Sequence, residues 1–234
     1  MKAFVRIFIV VCLAIVIALL SVVIYRAYHY LESPQSKAFS AIPDNATILI
    51  KSLQTQHVLD FQNKQKVFFP ILFSESSMSK VNDLLKELSQ SQHKKLAEKS
   101  SFYLSLHEME GEENIFFAIE TSKEHNTELS DFFKSMQKQY KKNTFIYKEK
   151  TIYRLQMNNS VLYANIQNGL LLLSFDENLM RMAINQLEKE ISLQNSIETF
   201  TNQRNANTEL LLCIQHKYFN PYLKNKIQIG RAHV

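Results

Sequence analysis

The chain is poor in the residues on which the common phosphate-binding and nucleophilic motifs depend. Its 234 residues include only 3 glycines, 4 prolines, 2 cysteines and no tryptophan. Phosphate-binding loops and the Gly-x-Ser-x-Gly turn of hydrolases need closely spaced glycines, and neither pattern occurs in the sequence. The sequence therefore predicts no cofactor-binding loop and no serine nucleophile of the usual kind.

Cysteine is too scarce and too scattered to build a framework. Cys12 lies in an apolar run near the N-terminus and Cys213 lies near the other end of the chain. Because these two residues are not expected to meet, we predict neither a disulfide nor a zinc site built on paired cysteines.

The histidines also lack the spacing of a metal or catalytic motif. No two of them stand at i, i+4 with a glutamate between them, as metalloprotease chemistry requires. Each is predicted to be a surface or structural residue. The seven are His29, His57, His93, His107, His125, His216 and His233.

The segment "HEMEGEE", residues 107–113, is the densest cluster of candidate metal ligands. Calcium and magnesium require several oxygens that converge on one point. We expect this segment to form a hairpin turn, which directs its side chains to opposite faces, so a solvated turn is preferred over a cation site. The formal Ser-x-x-Lys of residues 77–80 is predicted to be a helix start, with Ser77 or Ser79 as N-cap. No catalytic, cofactor-binding or metal-binding residue is therefore predicted.

The formal net charge of +5 lies largely outside the central part of the chain. Lys2, Arg6 and Arg26 flank the first apolar run and Arg231 lies in the last four residues, and without these four the sequence is close to neutral. The remaining basic clusters are short and lysine-rich, as is typical of solvated helix ends. A nucleic-acid partner is not expected.

The strongest feature of the sequence is an apolar run near the N-terminus. Residues 7–24 carry no charge and, as a helix, would span about 27 Å of hydrocarbon. The run is longer than the apolar region of a signal peptide and is followed by Tyr25, Tyr28 and Tyr30 instead of a small-residue cleavage site. It predicts an uncleaved transmembrane anchor, with the lipid bilayer as partner and a cleaved signal peptide as the alternative.

The charges beside this run predict the orientation of the chain. The α-amino group, Lys2 and Arg6 precede it, whereas Arg26 is the only firm positive charge that closely follows it. The positive-inside rule then places the N-terminus in the cytoplasm and the main domain outside the cytoplasmic membrane. The predicted organisation is a cytoplasmic head (1–6), an anchor (7–24), a stalk (25–45) and an extracytoplasmic domain (46–228).

Hydrophobic periodicity in that domain predicts an α+β fold, in which antiparallel sheet packs against amphipathic helices. The apolar segment 67–73 contains Pro70, which disfavours a central strand. The strands predicted at 46–50 and 208–215 each begin a similar order of strands and helices. A tandem of related α+β units is therefore expected. Between them we predict helices at 55–64, 77–99, 126–142 and 176–191, a hairpin at 101–122 and a four-stranded meander at 144–175 whose last turn is Asn168-Gly169. A helix interrupted by Pro221 is expected to follow the last strand.

The segments "AIPDNATILIKS" and "IYRLQMNNSVLYANIQNGLLLLSFDENLMRMAINQLE", together with the anchor, carry a resemblance to a known family. The chain resembles a family of bacterial membrane-anchored proteins that is classed as a domain of unknown function. In that family an Ile-Pro-x-x-Ala stretch opens the outer domain, and a strand that ends in serine precedes a helix. The resemblance implies a location in the envelope and carries no catalytic residues over to this chain.

The last six residues, "IGRAHV" at 229–234, differ in character from the rest. They are identical to the translation of a common short-read sequencing adapter, ATC GGA AGA GCA CAC GTC, and the two preceding adapter bases complete a CAG codon that matches Gln228. We therefore expect residues 229–234 to be adapter-derived and the natural sequence to continue beyond residue 228. The strand at 208–215 would then lie at an unpaired sheet edge.

Two functional hypotheses follow. The preferred one is a single-pass, membrane-anchored envelope protein with a non-enzymatic binding or structural domain, whose partner is a protein, a lipid or a glycan. The alternative is an anchored envelope enzyme whose active-site residues are scattered along the chain or lie in missing C-terminal sequence.

Overall fold

An eight-stranded antiparallel sheet organises the part of the chain after residue 35. The structure is a computed structural model, in which the chain divides into two units, Met1–Pro34 and Gln35–Val234. The residues it describes are 15–22, 37–64, 72–157, 160–189, 210–220 and 222. Residues 65–71, which contain Pro70, as well as Pro221 and residues 229–234, lie outside this description.

The first unit is described only at residues 15–22, which are helical and exposed. Among all described residues, no helix has the length and hydropathy that a membrane span requires. Most of the predicted anchor, the head at 1–6 and much of the stalk lie outside the described residues.

The strands and helices of the second unit alternate along the chain. The strands are β1 (Ile48–Ser52), β2 (Ser100–Met109), β3 (Glu112–Thr121), β4 (Lys141–Tyr147), β5 (Lys150–Gln156), β6 (Val161–Gln167), β7 (Leu170–Ser174) and β8 (Leu211–Ile214). The helices are α1 (Ala38–Ala41), α2 (Thr55–Lys64), α3 (Glu75–Leu88), α4 (Lys94–Lys99), α5 (Asn126–Gln139) and α6 (Glu177–Lys189). The α+β class with antiparallel sheet and packed helices is therefore confirmed.

The strand order is β4-β5-β6-β7-β3-β2-β1-β8. The predicted meander is confirmed as β4 to β7, and the predicted hairpin is confirmed as β2 and β3. Strands β1 and β8, which were expected to open separate units, pair with each other in this sheet. A repeat relation between those units stays a prediction.

Both faces of the sheet are covered, and this explains the sequence of its central strands. Helices α2 to α5 pack on one face, which we call the four-helix face, and α1 and α6 pack on the other, the two-helix face. All five residues of β7 are buried, and its sequence LLLLS is a continuous apolar run. Such a run is typical of a strand that contacts core on both sides.

One predicted helix differs in the structure, and the predicted start of another is confirmed. The helix expected at 77–99 ends at Leu88, and a 3-10 turn (Ser91–His93) separates it from α4. Its N-cap is Ser74, whose Oγ accepts the Ser77 N–H at 3.3 Å, so the prediction of Ser77 or Ser79 as cap was wrong. In the helix after the meander, Asp176 caps as predicted, since Oδ1 accepts the Leu179 N–H at 2.7 Å.

The predicted boundary of the stalk also differs. Helix α1 and Ile42 are part of the core of the two-helix face, where Ala38, Ala41 and Ile42 are fully buried. The end of the segment that was expected to be a stalk is therefore folded against the sheet, and Gln186 of α6 donates a 2.7 Å hydrogen bond to the carbonyl of Ile42.

Candidate functional site

The predicted acidic cluster at residues 107–113 does not converge on a point. Glu110 and Gly111 form the turn of the β2–β3 hairpin with φ values of 55° and 82°, and the side chains of Glu110 and Glu112 are exposed. His107 is fully buried. Within the described residues, no group of three or more histidine, cysteine, aspartate or glutamate side chains is arranged to hold a metal ion.

Glu113, the last residue of that cluster, has a structural role. Its carboxylate accepts the backbone N–H of Ser74 at 2.7 Å and the hydroxyl of Tyr222 at 2.9 Å. Burial disfavours the charged carboxylate, but hydrogen bonds, chiefly from Ser74, outweigh this and lower the pKa of Glu113 below its usual value. Glu113 therefore connects the start of α3 with the helical turn that follows β8.

The remaining described histidines lie on different elements. His125 lies 3.5 Å from the carboxylate of Glu128, and His216 lies 3.4 Å from the side chain of Asn220. His57 lies on α2, and His29 and His233 fall outside the described residues. Two histidines, His93 and His107, belong to polar clusters that the sequence does not reveal.

The first of these, which we call the sealed cluster, consists of Asn45, Ser105 and His107. The His107 ring is 2.8 Å from Asn45 Oδ1 through Nδ1 and 2.8 Å from Ser105 Oγ through Nε2. Because the amide oxygen of Asn45 can only accept, Nδ1 donates to it and Nε2 accepts the Ser105 hydroxyl proton. Ser105 and His107 are neighbours on the two-helix face because side chains two residues apart on a strand share a face.

This order of groups is that of a serine nucleophile, a histidine base and a residue that orients the base. However, the exposed fractions of Ser105 and His107 are 1% and 0%. Burial lowers the pKa of His107 to about 3, so the imidazole is neutral at physiological pH. The cluster has the hydrogen bonds of a hydrolytic triad, but a substrate has no access to it in this structure.

The second cluster borders a solvent-open cleft of about 530 Å³. The cleft lies between the C-terminal ends of α3 and α5, the start of β4 and the end of β5. It is lined by Asp83, Lys86, Glu87, Gln139, Tyr140, Lys141, Gln156 and Met157.

The carboxylate of Glu87 is the centre of this second cluster, which we call the cleft cluster. Its Oε1 accepts the Tyr140 hydroxyl at 2.8 Å and the Gln139 amide at 3.0 Å, and its Oε2 accepts the Gln90 amide at 2.8 Å. The Glu87 residue is only 8% exposed. Three neutral donors thus satisfy a buried carboxylate that has no ion-pair partner among the described residues, as a buried charge requires.

The Glu87 carboxylate also affects the pKa values of two other groups, Tyr140 and His93. Burial, together with the hydrogen bond to Glu87 and its negative charge, raises the pKa of the Tyr140 hydroxyl well above its ordinary value. Burial also lowers the pKa of His93, although the negative charge of Glu87 opposes that change. Tyr140 therefore remains a neutral hydrogen-bond donor, and burial favours the neutral form of His93, which does not line the cleft.

The residues of the two clusters come from distant parts of the sequence, which is why no motif reveals them. Glu87 and Tyr140 are brought together by the packing of α3 and α5 on the same face of the sheet. The pair Ser105 and His107 did carry a signal, since the period of two places both on one face. That signal was missed because His107 was assigned to the solvated turn at residues 107–113.

Comparison of the chain with protein-family models, curated proteins and solved structures finds no match. Inference about the function of this chain therefore depends on the residues and geometry described above.

Proposed function

We propose that the protein is a single-pass, membrane-anchored protein of the bacterial envelope whose folded domain has a non-enzymatic binding role. In this proposal residues 7–24 lie in the cytoplasmic membrane, the N-terminus is cytoplasmic, and the domain that follows the stalk is extracytoplasmic. The resemblance to bacterial anchored proteins of unknown function supports the same location.

The anchor is supported by the composition of the apolar run and by the flanking charges of Lys2 and Arg6. The described part of the run also fits this role. Its large apolar side chains are about half exposed, from 50% at Val16 to 63% at Leu19. A helix that is apolar and exposed in this way is suited to contact with lipid.

The proposed binding role rests on one observation: Ser105 and His107 in the sealed cluster are closed to solvent and substrate, whereas the cleft cluster borders an open cleft. Among the described residues, the sealed cluster has the order of a catalytic triad but is closed to substrate. The open cleft presents carboxylate, amide, hydroxyl and ammonium groups without a serine or cysteine beside a base. Such a set of groups can bind a polar ligand by hydrogen bonds but does not supply a serine or cysteine nucleophile.

The lining of the cleft indicates the chemistry of its ligand. Two acidic residues, Asp83 and Glu87, are balanced by Lys86 and Lys141. A polar ligand with little net charge, such as a glycan or a polar protein segment, fits this lining better than the acyl chain of a lipid.

Binding at the cleft is tested with the full-length protein in a neutral detergent. Soluble cell-wall glycan fragments and polar peptides are titrated while backbone amide NMR shifts are recorded. We expect shifts at the ends of α3 and α5, reduced by Gln139→Ala and unchanged by the matched variant Gln54→Ala, at an exposed glutamine before α2. Shifts that are scattered over the domain, or that Gln54→Ala abolishes equally, would count against the cleft.

The order of groups in the sealed cluster favours a second candidate, an anchored hydrolase that opens to admit substrate. A panel of chromogenic esters, amides and glycosides, with Ser105→Ala as the control, distinguishes the two. We expect no turnover above the Ser105→Ala background and no labelling of Ser105 by a fluorophosphonate. Turnover that disappears in a folded Ser105→Ala variant would replace the binding proposal with the enzyme.

The anchor has its own test. Intact cells and spheroplasts are treated with protease, and the fragments are detected with an antibody against the folded domain. Digestion in spheroplasts but not in intact cells is expected. Protection in both preparations would contradict the orientation.

A further inference from the structure

Strand β4 forms an edge of the sheet and is the most exposed strand of the domain. It has one neighbour in the strand order, β5, and residues 141–144 and 146 are exposed. Ile146 in the middle of this edge is 76% exposed, the highest value among the large apolar side chains of the described residues. The outer backbone N–H and C=O groups of β4 are therefore open to another strand.

The edge lacks the features that commonly block strand addition. Its seven residues contain no proline, and its register with β5 runs without a bulge from Lys141 opposite Gln156 to Tyr147 opposite Lys150. Natural sheets often prevent edge pairing by a short strand, a bulge or a proline. In β4 only the lysines at its ends could serve that purpose, so their charge decides which partner fits.

The exposed end of the β4–β5 hairpin and the start of β4 are both basic. Lys141 and Lys142 begin the strand, and Lys148 and Lys150 flank Glu149 beyond its other end. Lys148 pairs with Glu188 at 3.2 Å. The other three lysines form no ion pair within the part of the chain that the structure describes.

This distribution disfavours a second copy of the chain as the partner. Antiparallel pairing of two β4 strands would place the lysines at the start of one strand near those at the end of the other, and parallel pairing would align like with like. Like charges across a strand pair destabilise it, whereas opposite charges contribute roughly 0.2–1 kcal/mol for each pair. An acidic strand would instead place opposite charges near the lysines at the two ends of β4.

The edge is also held in place before any partner arrives. The hydroxyl of Tyr147 donates to Asn185 of α6 at 3.1 Å, and the guanidinium of Arg181 stacks at 4.7 Å from the Tyr147 ring and 5.5 Å from the Phe145 ring. Glu177 accepts two hydrogen bonds from the same guanidinium, at 3.1 and 2.6 Å. Binding to a strand that is already ordered avoids part of the entropic cost of association.

We propose that the β4 edge binds an extended acidic segment of a partner protein by strand addition. Backbone hydrogen bonds to the outer side of β4 provide the affinity, the lysines at its ends select acidic residues, and Ile146 contacts an apolar residue near the middle of the segment. Of the two lysines at the start of β4, Lys141 also lines the cleft and Lys142 does not, so Lys142 distinguishes this interaction from ligand binding at the cleft.

The test uses a labelled peptide, Glu-Glu-Thr-Val-Thr-Glu-Glu, blocked at both ends, and a second peptide in which lysine replaces each glutamate. Binding to the full-length protein in neutral detergent is followed by fluorescence anisotropy at low salt. We expect the acidic peptide to bind at least about tenfold more tightly, with an affinity that falls as salt rises. Amide hydrogen exchange should slow at alternate residues of β4.

A charge exchange makes the test specific. Lys142→Glu should weaken binding of the acidic peptide about fivefold and strengthen binding of the basic one. Lys138→Glu, at an exposed position near the end of α5, is the matched control and should leave the acidic peptide's affinity close to that of the wild type. Neither lysine lines the cleft.

Several results would overturn the proposal. These are equal affinity for the two peptides, an equal loss in the Lys138→Glu control, and unchanged exchange at β4 with peptide bound. A dimer in sedimentation experiments that Lys142→Glu strengthens would instead identify a second copy as the partner. Binding to anionic lipid vesicles in the absence of peptide binding would instead identify the membrane surface.

Discussion

The sealed cluster and the cleft cluster use hydrogen bonds of the same length in opposite surroundings. His107 and Glu87 are each bonded to neutral partners at 2.8–3.0 Å. His107 has an exposed fraction of 0% and lies between the sheet and the two-helix layer, whereas Glu87 lies at the edge of an open cleft. The difference shows that hydrogen-bond geometry alone does not identify a functional site.

Access to water decides what each cluster can do. In the sealed cluster Ser105 and His107 depend on their protein partners, because both are buried and water can reach only the partly exposed Asn45. In the cleft cluster, water or a ligand can take the place of a missing donor. We therefore expect the sealed cluster to affect stability and the cleft cluster to affect binding.

Removing the histidine of the sealed cluster should have the largest effect on stability. His107→Ala leaves a cavity and two unpaired polar groups, Asn45 and Ser105, and should lower the free energy of unfolding by about 3–5 kcal/mol. Urea denaturation of the full-length protein in detergent measures this. His216→Ala, at an exposed position, is the matched control and should change it by about 0.5 kcal/mol or less. A loss below about 1 kcal/mol for His107→Ala would mean that water reaches the cluster.

Acid should weaken the fold through the same histidine. Its pKa of about 3 in the folded state lies below the unfolded value near 6.5, so the unfolded chain binds the proton first as the pH falls. Stability is then full above pH 6.5 and decreases progressively to about pH 3, by an amount on the order of 4 kcal/mol for this residue.

The pH effect can be assigned by comparing wild type with His107→Gln, which lacks the titrating group. Stability is measured against pH for both proteins, and the difference between the two curves should show the loss of stability between pH 6.5 and 3. The contributions of His93 and Glu113 are common to both proteins and cancel. The imidazole NMR resonances of His107 provide a second measurement that needs no variant. Protonation of His107 near pH 6 in the folded protein would contradict the burial.

The sequence predicts the sheet better than it predicts either cluster. The meander follows from alternating apolar residues and from Asn168-Gly169, whose φ values of 33° and 78° suit a two-residue hairpin turn. Helix α5 follows from Leu129, Phe132, Phe133 and Met136, which recur at helical spacing and are all buried. These patterns are local, so each can be recognised within one segment.

The clusters depend on contacts between distant segments. His107 was assigned to a solvated turn, but helices cover both faces of the sheet, so Ser105 and His107 are buried. Glu87 and Tyr140 meet only because α3 and α5 pack beside each other. Contacts between distant segments leave no periodic pattern in a single sequence, so the cleft was not predicted.

The cleft cluster should respond more weakly than the sealed cluster when a donor is removed. Tyr140→Phe deletes the hydroxyl that donates to Glu87, and we expect a loss of about 1 kcal/mol in the free energy of unfolding, since water can approach the carboxylate from the cleft. Urea denaturation measures the loss, and Tyr218→Phe, on the exposed turn after β8, is the control. A loss as large as that of His107→Ala would show that the cleft cluster is sealed as well.

The smallest effect should come from removing Gln90, one of the three donors to Glu87. Gln90 is partly exposed and donates to Oε2 of Glu87, while Oε1 keeps its bonds from Tyr140 and Gln139. Gln90→Ala should therefore change the free energy of unfolding by about 0.5 kcal/mol or less, because water can occupy the position of the amide. Combined with Tyr140→Phe, it should cost more than the sum of the two single variants, because the carboxylate then loses a donor at each oxygen. Additive losses in this double-mutant cycle would show that water replaces both lost hydrogen bonds to Glu87. The carboxylate would then be energetically equivalent to an ordinary surface glutamate.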